Sequence, residues 1–160
     1  MAEQKTNVMR VLEQKKIKYT AHSYPHGEDP VDGVTVAGLI GKDPACVFKT
    51  LVLRGASKTV YVFDVPVAEE LDLKKAAKAV GEKSVAMIHV SEITPLTGYV
   101  RGGCSPVGMK KQYKTVFDAS ALEHGTIVVS AGKIGAQVEV EPQALISLVR
   151  GATADIISED

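Results

Sequence analysis

The spacing of hydrophobic positions changes several times along this chain, and each change marks an element. After Thr6, which can cap a helix, Val8, Val11 and Leu12 fall on one helical face and predict a first helix ending near Lys16. Ile17, Tyr19 and Ala21 then alternate with polar residues and predict a short strand reaching Tyr24. Thr35 to Ile40 fits a short helix stopped by Gly41. The segments 47–54 and 59–65 are dense in β-branched and apolar residues, and Gly55-Ala56-Ser57-Lys58 makes a turn between them, so the pair predicts a hairpin. Asp72 can cap a helix from Leu73 to Val80, closed by Gly81. A short strand from Ser84 to Ile88, a brief helix from Ser91 toward Leu96, and strands at 115–117 and 126–130 follow. Residues 131–135 turn the chain back into a strand at 136–140, and Pro142 opens a last helix from Gln143 to Arg150.

That makes about four helices and six or more strands. Hairpins alternate with helix-linked strands, so the pattern predicts an α/β fold with a mixed sheet. At 160 residues, with no linker-like composition shift and no internal repeat, the chain reads as one domain. Its hydrophobic fraction of 45% suits a packed core. The charged N-terminal stretch has no signal-peptide core, and no apolar run reaches membrane-spanning length. Cys46 and Cys104 lie far apart and outside any metal-ligand spacing, which argues against a disulfide framework and a zinc site and for a reducing cytoplasm.

Nineteen basic residues balance nineteen acidic ones, so the whole chain is no general polyanion binder. The balance is uneven locally. No acidic residue occurs from Ile93 to Phe117, a stretch holding Arg101, Lys110, Lys111 and Lys114. Lys74, Lys75, Lys78 and Lys83 form a second group. Such groups are either solvated surface or phosphate contacts. With few aromatics to stack bases, contact with an RNA end or backbone is the expected mode.

Two places stand out chemically. Gly102-Gly103-Cys104-Ser105-Pro106-Val107-Gly108-Met109-Lys110-Lys111 is too rich in glycine and proline for a helix or central strand, and reads as a loop whose backbone approaches a ligand. Its N–H groups around Gly102, Gly103 and Ser105 can serve as an oxyanion hole or hold a ribose or phosphate. Lys49 interrupts the face it shares with Val47, Leu51 and Leu53, so its ammonium must reach solvent, pair with a carboxylate or meet a ligand. Cys104 invites a thiol-nucleophile reading, but no signature ties His89 or His124 to it as a base. His22 and His26, with Glu28 and Asp29, form a weak metal motif that reads better as surface histidines.

Four segments occur in order: Val47-Phe48-Lys49-Thr50-Leu51, the helix 71–81, the glycine loop 97–111, and Val129-Ser130-Ala131-Gly132-Lys133-Ile134-Gly135. Together they resemble the YbaK/EbsC-type aminoacyl-tRNA deacylases, the Cys-tRNA(Pro) deacylase group, relatives of the editing domain of prolyl-tRNA synthetase. The resemblance spans nearly the whole chain. It implies a mixed, partly barrel-like sheet flanked by helices, and hydrolysis of a wrong amino acid, chiefly cysteine, from tRNA(Pro). It implies no cofactor and no DNA partner, with aminoacyl-tRNA as substrate and prolyl-tRNA synthetase as partner. Lys49 matches the family's essential lysine. Gly102, Ser105 and Pro106 match residues that shape its pocket, and Tyr24, Thr50, Ser130 and Gly132 match positions lining it. In cysteine-specific members the substrate's own thiol is proposed to attack its ester.

The sequence departs from that pattern at three places. Cys104 replaces a commonly aliphatic residue, Gln137 stands where the best-known cysteine-specific type has Asp, and Asp32 falls near its Phe. Alanine on tRNA(Pro) is therefore a second substrate reading. A non-catalytic tRNA- or synthetase-binding module and a Cys104 hydrolase are the competing classes.

Overall fold

The computed structural model describes residues 5–159, and the charged start of the chain at residues 1–4 lies outside them. Two sheets form the framework. The smaller is antiparallel and holds β1 (Tyr19–Ser23), β7 (Ala136–Val140) and β6 (Ile127–Lys133) in that order. The larger has the order β4-β2-β3-β5-β8, from β4 (Val85–Met87), β2 (Phe48–Gly55), β3 (Val60–Pro66), β5 (Lys114–Asp118) and β8 (Ala152–Ala154). Its β2 pairs are antiparallel and its β5 pairs parallel, so the sheet is mixed. A parallel bridge between Val47 and Val128 joins the two sheets.

Local chemistry explains the helices. Thr6 caps α1 (Asn7–Gln14) by accepting from the Met9 N–H, and Val8, Met9 and Leu12 bury its inner face. α2 (Gly33–Leu39) starts two residues earlier than the hydrophobic pattern predicts, because Asp32 caps it through the Thr35 N–H. Asp72 and Gly81 bound α3 (Leu73–Val80) as expected, with Gly81 at φ 72°. α4 (Val90–Thr97) is tied by Glu92, which accepts from the His89 N–H at 3.0 Å. Pro142 opens α5 (Pro142–Leu148). Two short 3-10 turns, Pro44–Cys46 and Ala119–Glu123, and strand β8 have no counterpart in the predicted elements. Among the described residues, no helix is long and apolar enough to cross a membrane.

The core falls into two main parts. Phe48, Phe117, Ile127, Val129, Val138 and α1 pack in one, and Leu53, Phe63, Val65, Val116 and the inner face of α3 in the other. β2 contributes to both. Its two faces serve different clusters, as the period of two requires.

Candidate active site

The gap between the sheets defines the site. β3 runs along one edge of β2 from Phe48 to Arg54. On the other edge, among the described residues, β4 pairs from Leu53 to Gly55, and the backbone bridge to β6 is at Val47. Between those contacts the edge around Lys49, Thr50 and Leu51 is left open, and a cavity of about 450 Å³ occupies the opening. Side chains from both faces of the strand can reach it, which is why the adjacent Lys49 and Thr50 both line it.

Each wall has its own source. β2 supplies Lys49 and Thr50, and the facing sheet supplies Ser130 and Gln137, which are cross-strand partners in β6 and β7. Tyr24 closes one end just after β1, and Arg101, Gly102 and Cys104 come from the glycine loop. An apolar wall from Val31, Val36, Met87, Ile88, Val90 and Ile93 completes it. This volume suits a small ligand held by a few polar groups in apolar surroundings. Lys49 makes no ion pair among the described residues, so its ammonium is a free positive charge on the wall.

Not every residue expected at the site borders the cavity. Gly103 instead packs against the turn after β6: a Cβ there would lie 2.9 Å from the Lys133 Cα. Its N–H is bonded to the Val100 carbonyl at 2.9 Å and is unavailable to an oxyanion. Ser105 and Pro106 are buried in the loop's own interior, and the Ser105 hydroxyl accepts from the Val107 N–H at 3.3 Å. Gly132 packs beside Tyr99 and Val8, and its N–H donates to the Ser130 hydroxyl at 3.1 Å. These four shape the loop and its neighbour from behind. Gly102 does border the cavity, at φ 86°, and a Cβ there would meet the Pro30 Cβ at 2.5 Å. Lys110 and Lys111 are exposed away from the cavity, whereas Arg101 stands on its rim. Lys75 leaves the second basic group, because Asp155 and Glu159 pair with it at 3.1 and 3.4 Å.

Burial, and then the nearby Asp64 carboxylate, push the Cys104 thiol up to about 12, so it stays protonated near neutrality. His22 lies in β1 and pairs with Glu139 at 2.8 Å. Among the described residues no cluster of three His, Cys, Asp or Glu side chains is arranged to hold a metal.

One polar residue at the site was not singled out in the sequence. Asp64, on β3, is fully buried, and it lies opposite Thr50 in the β2–β3 register. The Thr50 hydroxyl donates to its Oδ1 at 2.6 Å, while its Oδ2 has no partner among the described residues. Burial outweighs the Thr50 bond and raises this carboxyl to about 7. The available signal was an acid enclosed by Tyr61, Val62, Phe63 and Val65.

The comparisons agree on the class. A model of the aminoacyl-tRNA editing domain matches residues 31–148, and the chain belongs to that family. It is 44% identical over 158 residues to an Enterococcus faecalis protein named as a Cys-tRNA(Pro)/Cys-tRNA(Cys) deacylase, EbsC, covering 99% of this chain and 96% of that one. A solved structure described as a trans-editing enzyme for prolyl-tRNA synthetase superposes with a TM-score of 0.81 at 25% identity, covering 94% of each chain. A hypothetical protein of 22% identity shares the fold, with a TM-score of 0.83 over 94% of this chain and 99% of its own.

Proposed function

We propose that this editing-family hydrolase removes cysteine from mischarged tRNA(Pro). The observation that carries the reading is Lys49, a cation with no ion pair among the described residues, on the wall of a cavity sized for a small aminoacyl group. Its ammonium anchors the ester end of the substrate and favours negative charge developing on the carbonyl oxygen. Arg101 at the rim meets the terminal phosphate, and Lys110 and Lys111 extend that contact outward.

The chemistry follows from what surrounds the ester. Cys104 holds its proton and is a poor nucleophile, which supports attack by the substrate's own thiol, the route the family resemblance implies. The thiol sulfur bonds to the ester carbonyl carbon, the bond from that carbon to the ribose oxygen breaks, and the thiol proton ends on the ribose oxygen. Water then opens the cyclic thioester. The site's contribution is orientation and charge, which can supply a large part of such a barrier. A neutral surface overall fits weak direct tRNA binding, with tRNA choice aided by prolyl-tRNA synthetase in the cytoplasm.

Release of cysteine from Cys-tRNA(Pro), by wild type, Lys49→Ala and Cys104→Ala, tests the reading. Wild type and Cys104→Ala are expected to release it, and Lys49→Ala to be inactive. An active Lys49→Ala, or a folded but inactive Cys104→Ala, overturns the mechanism. Alanine is the second reading, favoured by the neutral Gln137 amide in the cavity. Faster release from Ala-tRNA(Pro) than from Cys-tRNA(Pro) would select it.

A further inference from the structure

The Asp64–Thr50 pair has a consequence for which substrates fit. A threonine hydroxyl carries one proton and two lone pairs. Here the proton is given to Asp64 Oδ1. What Thr50 presents to the cavity is therefore an acceptor, and that acceptor is backed by a buried acid. No cation is paired with this acid among the described residues. Thr50 faces it from β2, the Cys104 thiol approaches it from the glycine loop, and β5 brings the uncharged Phe117 opposite it in register. A buried acid with one bond and one unpartnered oxygen is costly to keep, so its retention at the back of a ligand cavity calls for a ligand-side reason.

An acceptor with negative charge behind it is the complement of a cationic donor. An aminoacyl ester has one such group, its α-ammonium. We propose that Asp64 is a positioning residue that fixes Thr50 as the acceptor for a free α-ammonium, so that the site takes aminoacyl-tRNA and rejects N-acylated or peptidyl-tRNA. This inference rests on the deacylase reading of the cavity. An N-acylated substrate loses the positive charge and adds bulk at the same atom, so it is rejected twice. The device also responds to pH. When Asp64 gains a proton, the Thr50 hydroxyl is no longer bound to donate to it, and the charge behind the acceptor is gone.

The test uses non-hydrolysable probes, 3′-(L-cysteinylamino)-3′-deoxyadenosine and its N-acetyl form, binding to the full chain by calorimetry. Wild type is expected to prefer the free amine by at least about tenfold, the scale of one charge-assisted hydrogen bond. That preference should grow from about pH 5 to about pH 6.5 as Asp64 begins to ionise, below the range in which the probe's own α-ammonium loses its proton. Asp64→Asn keeps the side-chain shape and an acceptor for Thr50 but removes the charge, so its preference should shrink to about threefold or less and lose that pH dependence. Thr50→Ser should keep the preference, and Thr50→Val should lose it. Equal wild-type affinity for the two probes, or an Asp64→Asn variant that keeps the wild-type ratio, overturns the proposal. If the probe preference stands but no cysteine or alanine is released from tRNA(Pro), the deacylase reading fails and the recognition of the amine does not.

Discussion

Two acids on neighbouring sheets, Asp64 fully buried and Glu139 half-buried, are treated in opposite ways. Glu139 of β7 is bonded by the Thr126 hydroxyl, by His22 at 2.8 Å and by Lys42 at 3.0 Å. Led by the Thr126 bond, these partners outweigh desolvation and hold it down at about 2. Asp64 of β3 has one hydroxyl for its two oxygens, and burial raises it to about 7. Gln137, two residues before Glu139 on the same face of β7, lines the cavity, while Glu139 does not. Saturation marks the acid that fastens β1, the residue preceding β6 and the segment after α2 together. Under-saturation marks the acid beside the ligand. Lys49 falls on the second side of the same division, as a cation on the cavity wall with no ion pair among the described residues.

The division can be attacked from both ends. The largest effect is expected at Lys49. Lys49→Met should lower deacylation at least about a hundredfold while shifting stability by no more than about 0.5 kcal/mol, because no ion pair is lost. Activity assays and thermal melting on one preparation would check both halves. Glu139→Ala should do the reverse, costing about 1–2 kcal/mol by denaturant titration because His22 and Lys42 are left without their partner. Its activity per folded molecule should stay near wild type.

The pH dependence of stability has opposite sign for the two acids. Asp64 has a raised pKa, so its contribution is fully present below about pH 4, and stability falls as pH rises toward about 7. Asp64→Asn should abolish that fall and leave the protein about 1–3 kcal/mol more stable than wild type at pH 8. Glu139 has a lowered pKa, so its contribution is present above about pH 4.5 and is lost as pH falls toward about 2. The smallest effect is expected for Thr126→Val, about 1 kcal/mol, with the acid limb of the stability profile moved to higher pH.

Much of the framework was legible because local chemistry and tertiary structure agree. The hairpin of β2 and β3 has period two and a glycine turn, and α3 has Asp72 and Gly81 at its ends. β8 was not, since Ala152–Ala154 has little strand preference and forms by pairing with β5. Lys49 was readable as a cation out of place in an apolar strand. Tyr24, Thr50, Ser130 and Gln137 came through resemblance, because nothing local marks a residue whose partners are a hundred positions away. Ser105, Pro106 and Gly103 mark the limit of motif reading: a motif says that residues matter, but not whether they face the ligand or the loop's interior. Asp64 was legible in principle, since an acid flanked by Phe63 and Val65 in a strand needs a reason.

The bridge between Val47 and Val128 carries a kinetic consequence. The wall that faces β2 depends on contacts between distant parts of the chain: β1 with β7, and β2 with β6. Pairings of such long range are slow to form, since loop closure must precede any gain from contact. The hairpin of β2 and β3 can exist early with Lys49 already on it, but it has no opposing sheet to enclose a substrate. Binding competence should therefore arrive in the last phase of refolding, as β1, β6 and β7 dock, and a chain stalled before that step should hold most of its secondary structure without recognising its ligand.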